Sequence, residues 1–181
     1  MTGKLYVLSG PSGVGKGTLR EKALTDKQNL VYSISCTTRQ PREGETDGIE
    51  YRFITHEKFQ EWIEQDLFLE YAHVHSDFYG TLKEDVIKEL NNGKNVLLEI
   101  DVQGALKVRE KIPEAILIFV APPSVEVLEK RLRDRHTESE NSLKLRLSNA
   151  VKELELKNKY DYVVINDNLE IASKELKNLI E

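Results

Sequence analysis

Leu5-Tyr-Val-Leu-Ser-Gly-Pro-Ser-Gly-Val-Gly-Lys-Gly-Thr18 is the stretch that decides the fold. Leu5 to Leu8 form a continuous apolar run, the pattern of a strand buried on both faces, and Ser9-Gly10-Pro11 ends it. A helix is predicted from about Gly15 to Leu24. Gly10, Pro11, Ser12, Gly13, Val14, Gly15, Lys16, Gly17 and Thr18 therefore lie between a strand and a helix, the setting of a phosphate-binding loop. Glycines let backbone N–H groups turn inward around phosphate oxygens, the helix start adds partial positive charge, and Lys16 reaches the terminal phosphates. Gly17 stands where Ser or Thr usually meets magnesium; Thr18, next to it, is left to serve a phosphate.

Working outward, apolar and β-branched runs predict strands at 30–34, 51–54, 68–74, 95–100, 115–120 and 162–165. Helical spacing predicts helices at 56–65, 82–90, 102–110, 124–135, 142–159 and from 169 onward, with Ser124 as an N-cap and Trp62 in the core. Residues 36–48 carry too many Gly, Pro and charged positions to be regular and read as a loop. Strands alternating with helices imply an α/β fold with a central parallel sheet.

The composition agrees. The chain has 181 residues, 39% hydrophobic and 31% charged, with 26 basic against 31 acidic side chains for a net charge of −5. A chain of this length buries roughly 70% of its unfolded surface, enough for one domain with small appendages. Mild acidity argues against a surface that coats nucleic acid, though it leaves room for a small basic pocket. The single cysteine, Cys36, excludes an internal disulfide and paired-cysteine metal or redox motifs. No apolar run approaches the ~18 residues of a membrane span and no signal-peptide pattern is visible, so a cytoplasmic location is expected.

Three further segments carry chemistry. The strand at 95–100 ends in Glu99-Ile100-Asp101, carboxylates suited to magnesium or its waters; Asp101 equally suits a helix cap, and both roles are compatible. Arg39 and Arg42 flank Pro41, with Tyr51 downstream: two guanidinium forks and a phenol suit a phosphate monoester, although alone they read as solvated loop charges. Arg131 and Arg135 lie four apart on one helical face, with Arg146 beyond the polar stretch, and a solvated face is again the plain alternative. His73 and His75 make two metal ligands without a third.

Together, Ser9-Gly-Pro-Ser-Gly-Val-Gly-Lys16, Thr37-Thr-Arg-Gln-Pro-Arg-Glu-Gly-Glu45, Phe68-Leu-Glu70-Tyr, Tyr79-Gly-Thr81, Asp101-Val-Gln-Gly104, Ala121-Pro-Pro-Ser124, Arg131 through Glu138 and Ile165-Asn-Asp167 resemble guanylate kinases over nearly the whole chain. The resemblance implies a P-loop core (1–34 and 82–181), a GMP-binding part (about 35–81) and a lid (about 133–145). It implies phosphoryl transfer from ATP to GMP with Mg2+, with dGMP use and oligomeric state left open, and no nucleic-acid or membrane partner. It places Ser35, Arg39, Arg42, Tyr51, Glu70, Tyr79, Thr81 and Asp101 toward GMP, and Asp101 toward the metal through water. Lys16, Arg39, Arg131, Arg135 and Arg146 become the catalytic cations, with Asn166 near the adenine. These five cations and Arg42 are expected to converge on one cleft, and the lid to close over the ligands. His136 stands where the family usually has Gly. Two alternatives remain: another nucleoside-monophosphate kinase, since Gly17-Thr18 resembles the adenylate kinase loop, and a noncatalytic guanylate kinase-like interaction module. Arg39, Arg42 and Glu70 favour guanine over the first, and the intact loop and arginines oppose the second.

Overall fold

Leu5–Ser9 is buried along its whole length and forms β1, as its unbroken apolar run requires. A computed structural model describes residues 2–24, 27–74, 76–134 and 140–180. After β1 come α1 (Lys16–Leu24), β2 (Leu30–Tyr32), β3 (Cys36–Thr37), β4 (Arg52–Phe53), α2 (His56–Glu64), β5 (Phe68–Val74) and β6 (Asp77–Leu82). The second half contains α3 (Lys83–Asn91), β7 (Asn95–Glu99), α4 (Val102–Lys111), β8 (Ile116–Ala121), α5 (Val125–Arg133), α6 (Glu140–Glu155), β9 (Tyr162–Ile165) and α7 (Leu169–Leu179). A five-stranded sheet has the order β2-β7-β1-β8-β9, and its described pairings are parallel, for example Tyr6 with Ile116 and Ile118 with Tyr162. The expected α/β architecture is therefore present.

Two compact units divide the chain. The first comprises Met1–Leu5, Asn29–Leu98 and Leu106–Ala115; the second comprises Tyr6–Gln28, Glu99–Ala105 and Ile116–Glu181. In the second, α1 and α7 pack together through elements that bury Leu19 and Ala23 on one side and Ala172 and Leu176 on the other. Ser124 caps α5, its hydroxyl accepting from the Val127 N–H as its sequence position predicts. The long helix predicted at 142–159 starts earlier, at Glu140, and its last turn tightens into a 3-10 helix at Leu156–Lys159.

The first unit holds a second sheet, order β4-β3-β6-β5, that corrects the sequence reading twice. Cys36–Thr37 is a strand rather than loop, and 77–82 is a strand that periodicity did not reveal. Aromatic packing explains both. Cys36, Phe59 and Phe68 form a buried cluster against which Ile54, Trp62, Ile63, Phe78 and Leu82 pack, and Phe59 stacks on Phe68 at 4.4 Å and on Phe78 at 5.3 Å. Gly80 is the residue that lets those rings lie against β6, since a Cβ there would sit 2.8 Å from the Phe68 ring. Burial pushes the Cys36 thiol up to about 12, so Cys36 serves as a small core residue.

Candidate active site

In the second unit, the loop after β1 wraps around Lys16. Gly10 is indispensable to its path, because φ is +142° and a Cβ would fall 2.2 Å from the Val120 carbonyl oxygen. Lys16 Nζ donates to the carbonyls of Gly10 (2.6 Å) and Pro11 (3.2 Å), so the ammonium lies inside the loop rather than in solvent. Asn166, at the end of β9, donates from Nδ2 to the Val14 carbonyl at 2.8 Å, and its backbone N–H bonds Ala121. Asn166 thus braces the loop itself. Its own carbonyl accepts from Arg131 at 2.9 Å, and Arg146 donates to the Ser12 hydroxyl. Lys16, Arg131 and Arg146 are therefore tied to one structure. Arg135 and His136, within residues 135–139 of the expected lid, lie outside the described residues.

Asp101 caps α4, its Oδ1 accepting from the Gly104 N–H at 2.7 Å. Glu99, at the end of β7, approaches the loop from another side. Its Oε1 lies 3.7 Å from where a Cβ on Gly17 would be, and its Oε2 pairs with Arg20 at 3.2 Å. Burial raises the Glu99 carboxyl above its usual range, against the opposing pull of Arg20 and Lys16. Among the described residues no three His, Cys, Asp or Glu side chains gather as a metal cage. Glu99 and Asp101 supply two hard carboxylates, the donor type magnesium accepts, and so few fit only an ion that keeps most of its waters.

The first unit gathers a different set of groups. Glu70 and Thr81 are both buried, and the Thr81 hydroxyl donates to Glu70 Oε1 at 2.7 Å. Ser35 is buried as well, its carbonyl accepting from the Arg52 N–H. Arg39 makes a two-pronged pair with Glu45, both contacts at 2.9 Å, and its guanidinium lies 5.4 Å from the Tyr51 ring centre. Tyr79 hydrogen-bonds Arg39 and meets Tyr51 edge-on at 5.9 Å. The Arg42 N–H bonds the same Glu45 carboxylate at 2.7 Å. The fold therefore ties Arg39 and the Arg42 backbone to one acid, and sets Tyr51 and Tyr79 against Arg39. Sequence reasoning assigned no role to Glu45, whose only signal was its spacing from Arg39 and Arg42. It equally missed Thr37 and Thr38, whose hydroxyls fasten this loop to β6: Thr37 donates to the Phe78 carbonyl and Thr38 accepts from the Phe78 N–H.

The Arg39 hydrogen bond holds the Glu45 carboxyl below the usual glutamate range near 4.5. A carboxyl lowered in the folded state stabilises it above the unfolded value, and that contribution disappears as pH falls through the lower folded value. In a carboxyl NMR titration the Glu45 midpoint should lie below 4.5, and Arg39→Ala should return it to the ordinary range. An unchanged midpoint in the variant would refute the pairing.

Residues 2–181 match the family model described as guanylate kinase. The chain belongs to the guanylate kinase family. It is 51% identical to a guanylate kinase of Fusobacterium nucleatum over 99% of this chain and 96% of that protein. A Caldanaerobacter subterraneus guanylate kinase is 50% identical over 98% of this chain and 86% of its own length. Among solved structures, an Anaplasma phagocytophilum guanylate kinase matches with a TM-score of 0.80 at 33% identity, covering 99% of this chain and 85% of that one.

Proposed function

We propose that this guanylate kinase family member transfers the terminal phosphoryl group of ATP to GMP, giving ADP and GDP. The buried Glu70–Thr81 pair carries the choice of guanine. A carboxylate accepts from both guanine N1–H and the exocyclic amine, whereas adenine presents an acceptor at N1 and leaves the carboxylate unpaired. Hydroxyls on Ser35 and Thr81 are suited to O6, and Arg39, Arg42, Tyr51 and Tyr79 to the phosphate.

The acceptor needs no catalytic base, because a phosphate monoester with a second pKa near ~6 is already largely ionised at pH 7. The task is to align two anions and offset their repulsion. Lys16 and the loop N–H groups take the ATP phosphates, and Arg131 and Arg146 stand ready for the charge of the transferring group. Arg135 is proposed to join them from the lid, and Asn166 to hold the loop on the adenine side. Glu99 and Asp101 would hold a magnesium ion through its waters, and that ion would supply charge neutralisation for the nucleotide phosphates.

A coupled assay of ADP formation from ATP with each nucleoside monophosphate tests this reading. GMP-dependent turnover well above that with AMP, CMP or UMP is expected; a preference for AMP, or no turnover by folded protein, would overturn it.

A further inference from the structure

Within the first unit, β5 is the edge strand of the four-stranded sheet and carries Glu70. Its pairing with β6 shifts register between Phe68 and Glu70: Phe68 faces Leu82, whereas Glu70 faces Thr81. The bulge at Leu69 is what brings the Glu70 carboxylate to the Thr81 hydroxyl, as bulges beside binding sites re-aim side chains. Two lysines of α4 in the same unit reach the backbone of this segment. Lys107 Nζ donates to the Tyr71 carbonyl at 2.7 Å and lies 5.1 Å from the Tyr71 ring centre; Lys111 Nζ donates to the Phe68 carbonyl at 3.3 Å. Successive carbonyls on a regular strand point to opposite edges, so residues three apart would present theirs in opposite directions. Only the bulge lets Phe68 and Tyr71 both serve lysines one helical turn apart on a single helix face.

We infer that Lys107 and Lys111 are positioning residues for base recognition: they pin the irregular backbone on either side of Glu70 and so fix where its carboxylate meets the purine. The same contacts occupy carbonyls on an edge strand with charged donors, which discourages pairing with another chain. This inference rests on the reading of Glu70 as the guanine-selecting acid.

The test measures KM and kcat for GMP, for inosine monophosphate (the same 6-oxopurine without the exocyclic amine) and for ATP, in Lys111→Met, Lys107→Met, the double variant and Lys111→Arg. Each methionine variant should raise KM for GMP about fivefold, the loss expected for one positioning hydrogen bond. It should narrow the preference for GMP over inosine monophosphate while KM for ATP is unchanged, and Lys111→Arg should recover the wild-type values. Unchanged GMP parameters, or losses shared equally by ATP and GMP, would refute the positioning role. Glu70→Gln, measured alongside, separates the two failures. If it leaves base preference intact, the recognition reading itself falls; if it alters preference while the lysine variants do not, only the present inference falls.

Discussion

Lys16→Met should lower ADP formation from ATP and GMP by about a thousandfold, the scale on which phosphoryl-transfer enzymes lose activity when a cation facing the transferring group is removed. Methionine matches the length of the lysine stem and supplies no donor. The wild-type ammonium sits between the Gly10 and Pro11 carbonyls, where it is already positioned to move onto phosphate oxygens. Loop shape should survive the change, since the Asn166 bond to the Val14 carbonyl and the left-handed backbone at Gly10 do not involve Lys16. The loss should therefore fall chiefly on kcat, with GMP affinity by calorimetry and the thermal midpoint close to wild type. Turnover within tenfold of wild type would remove Lys16 from the catalytic role.

Glu70→Gln should reduce kcat/KM for GMP by about a hundredfold, because two hydrogen bonds to a buried carboxyl acceptor are replaced by an amide that can face guanine with the wrong group. The amide oxygen can still accept from Thr81, so the strand pair is expected to hold. The amide nitrogen opposes guanine N1–H and suits adenine N1, and the ratio of kcat/KM for GMP over AMP should shrink more than GMP activity alone. A wild-type ratio would show that another group reads the base.

How much of this was legible in the sequence follows from how local each signal is. The phosphate loop was readable because strand, glycines, lysine and helix follow one another within a single stretch, and the strand at 68–74 because strand-favouring Phe68, Tyr71 and Val74 recur through it. The second sheet was hidden. Cys36–Thr37 is two residues long in a polar neighbourhood, and 77–82 contains a glycine and an acid that read as punctuation. Their strand character comes from partners distant in sequence, namely Phe59 and Phe68, that no local window includes. Site residues divided the same way. Arg39, Arg42 and Glu70 were visible as motifs, but Glu45, the acid that pairs with Arg39 and takes the Arg42 N–H, looked like one charge among several until the loop closed on itself. Asn166 was expected beside the adenine; its bond to the Val14 carbonyl adds a brace on the loop that nothing near either residue announces.

That brace also dictates when the molecule becomes competent. Val14 and Asn166 are separated by 152 positions, and β1 finds its partner β8 only in the second half of the chain. A ribosome extends the chain at roughly 5–20 residues per second, so the glycine loop is made early and waits roughly 8–30 seconds for the strand that secures it. Contacts of such long sequence separation are also slow to close. Nucleotide capture is thus a property acquired at the end of synthesis, and chains that stop short of β9 should carry the complete phosphate-loop motif without the means to hold its shape.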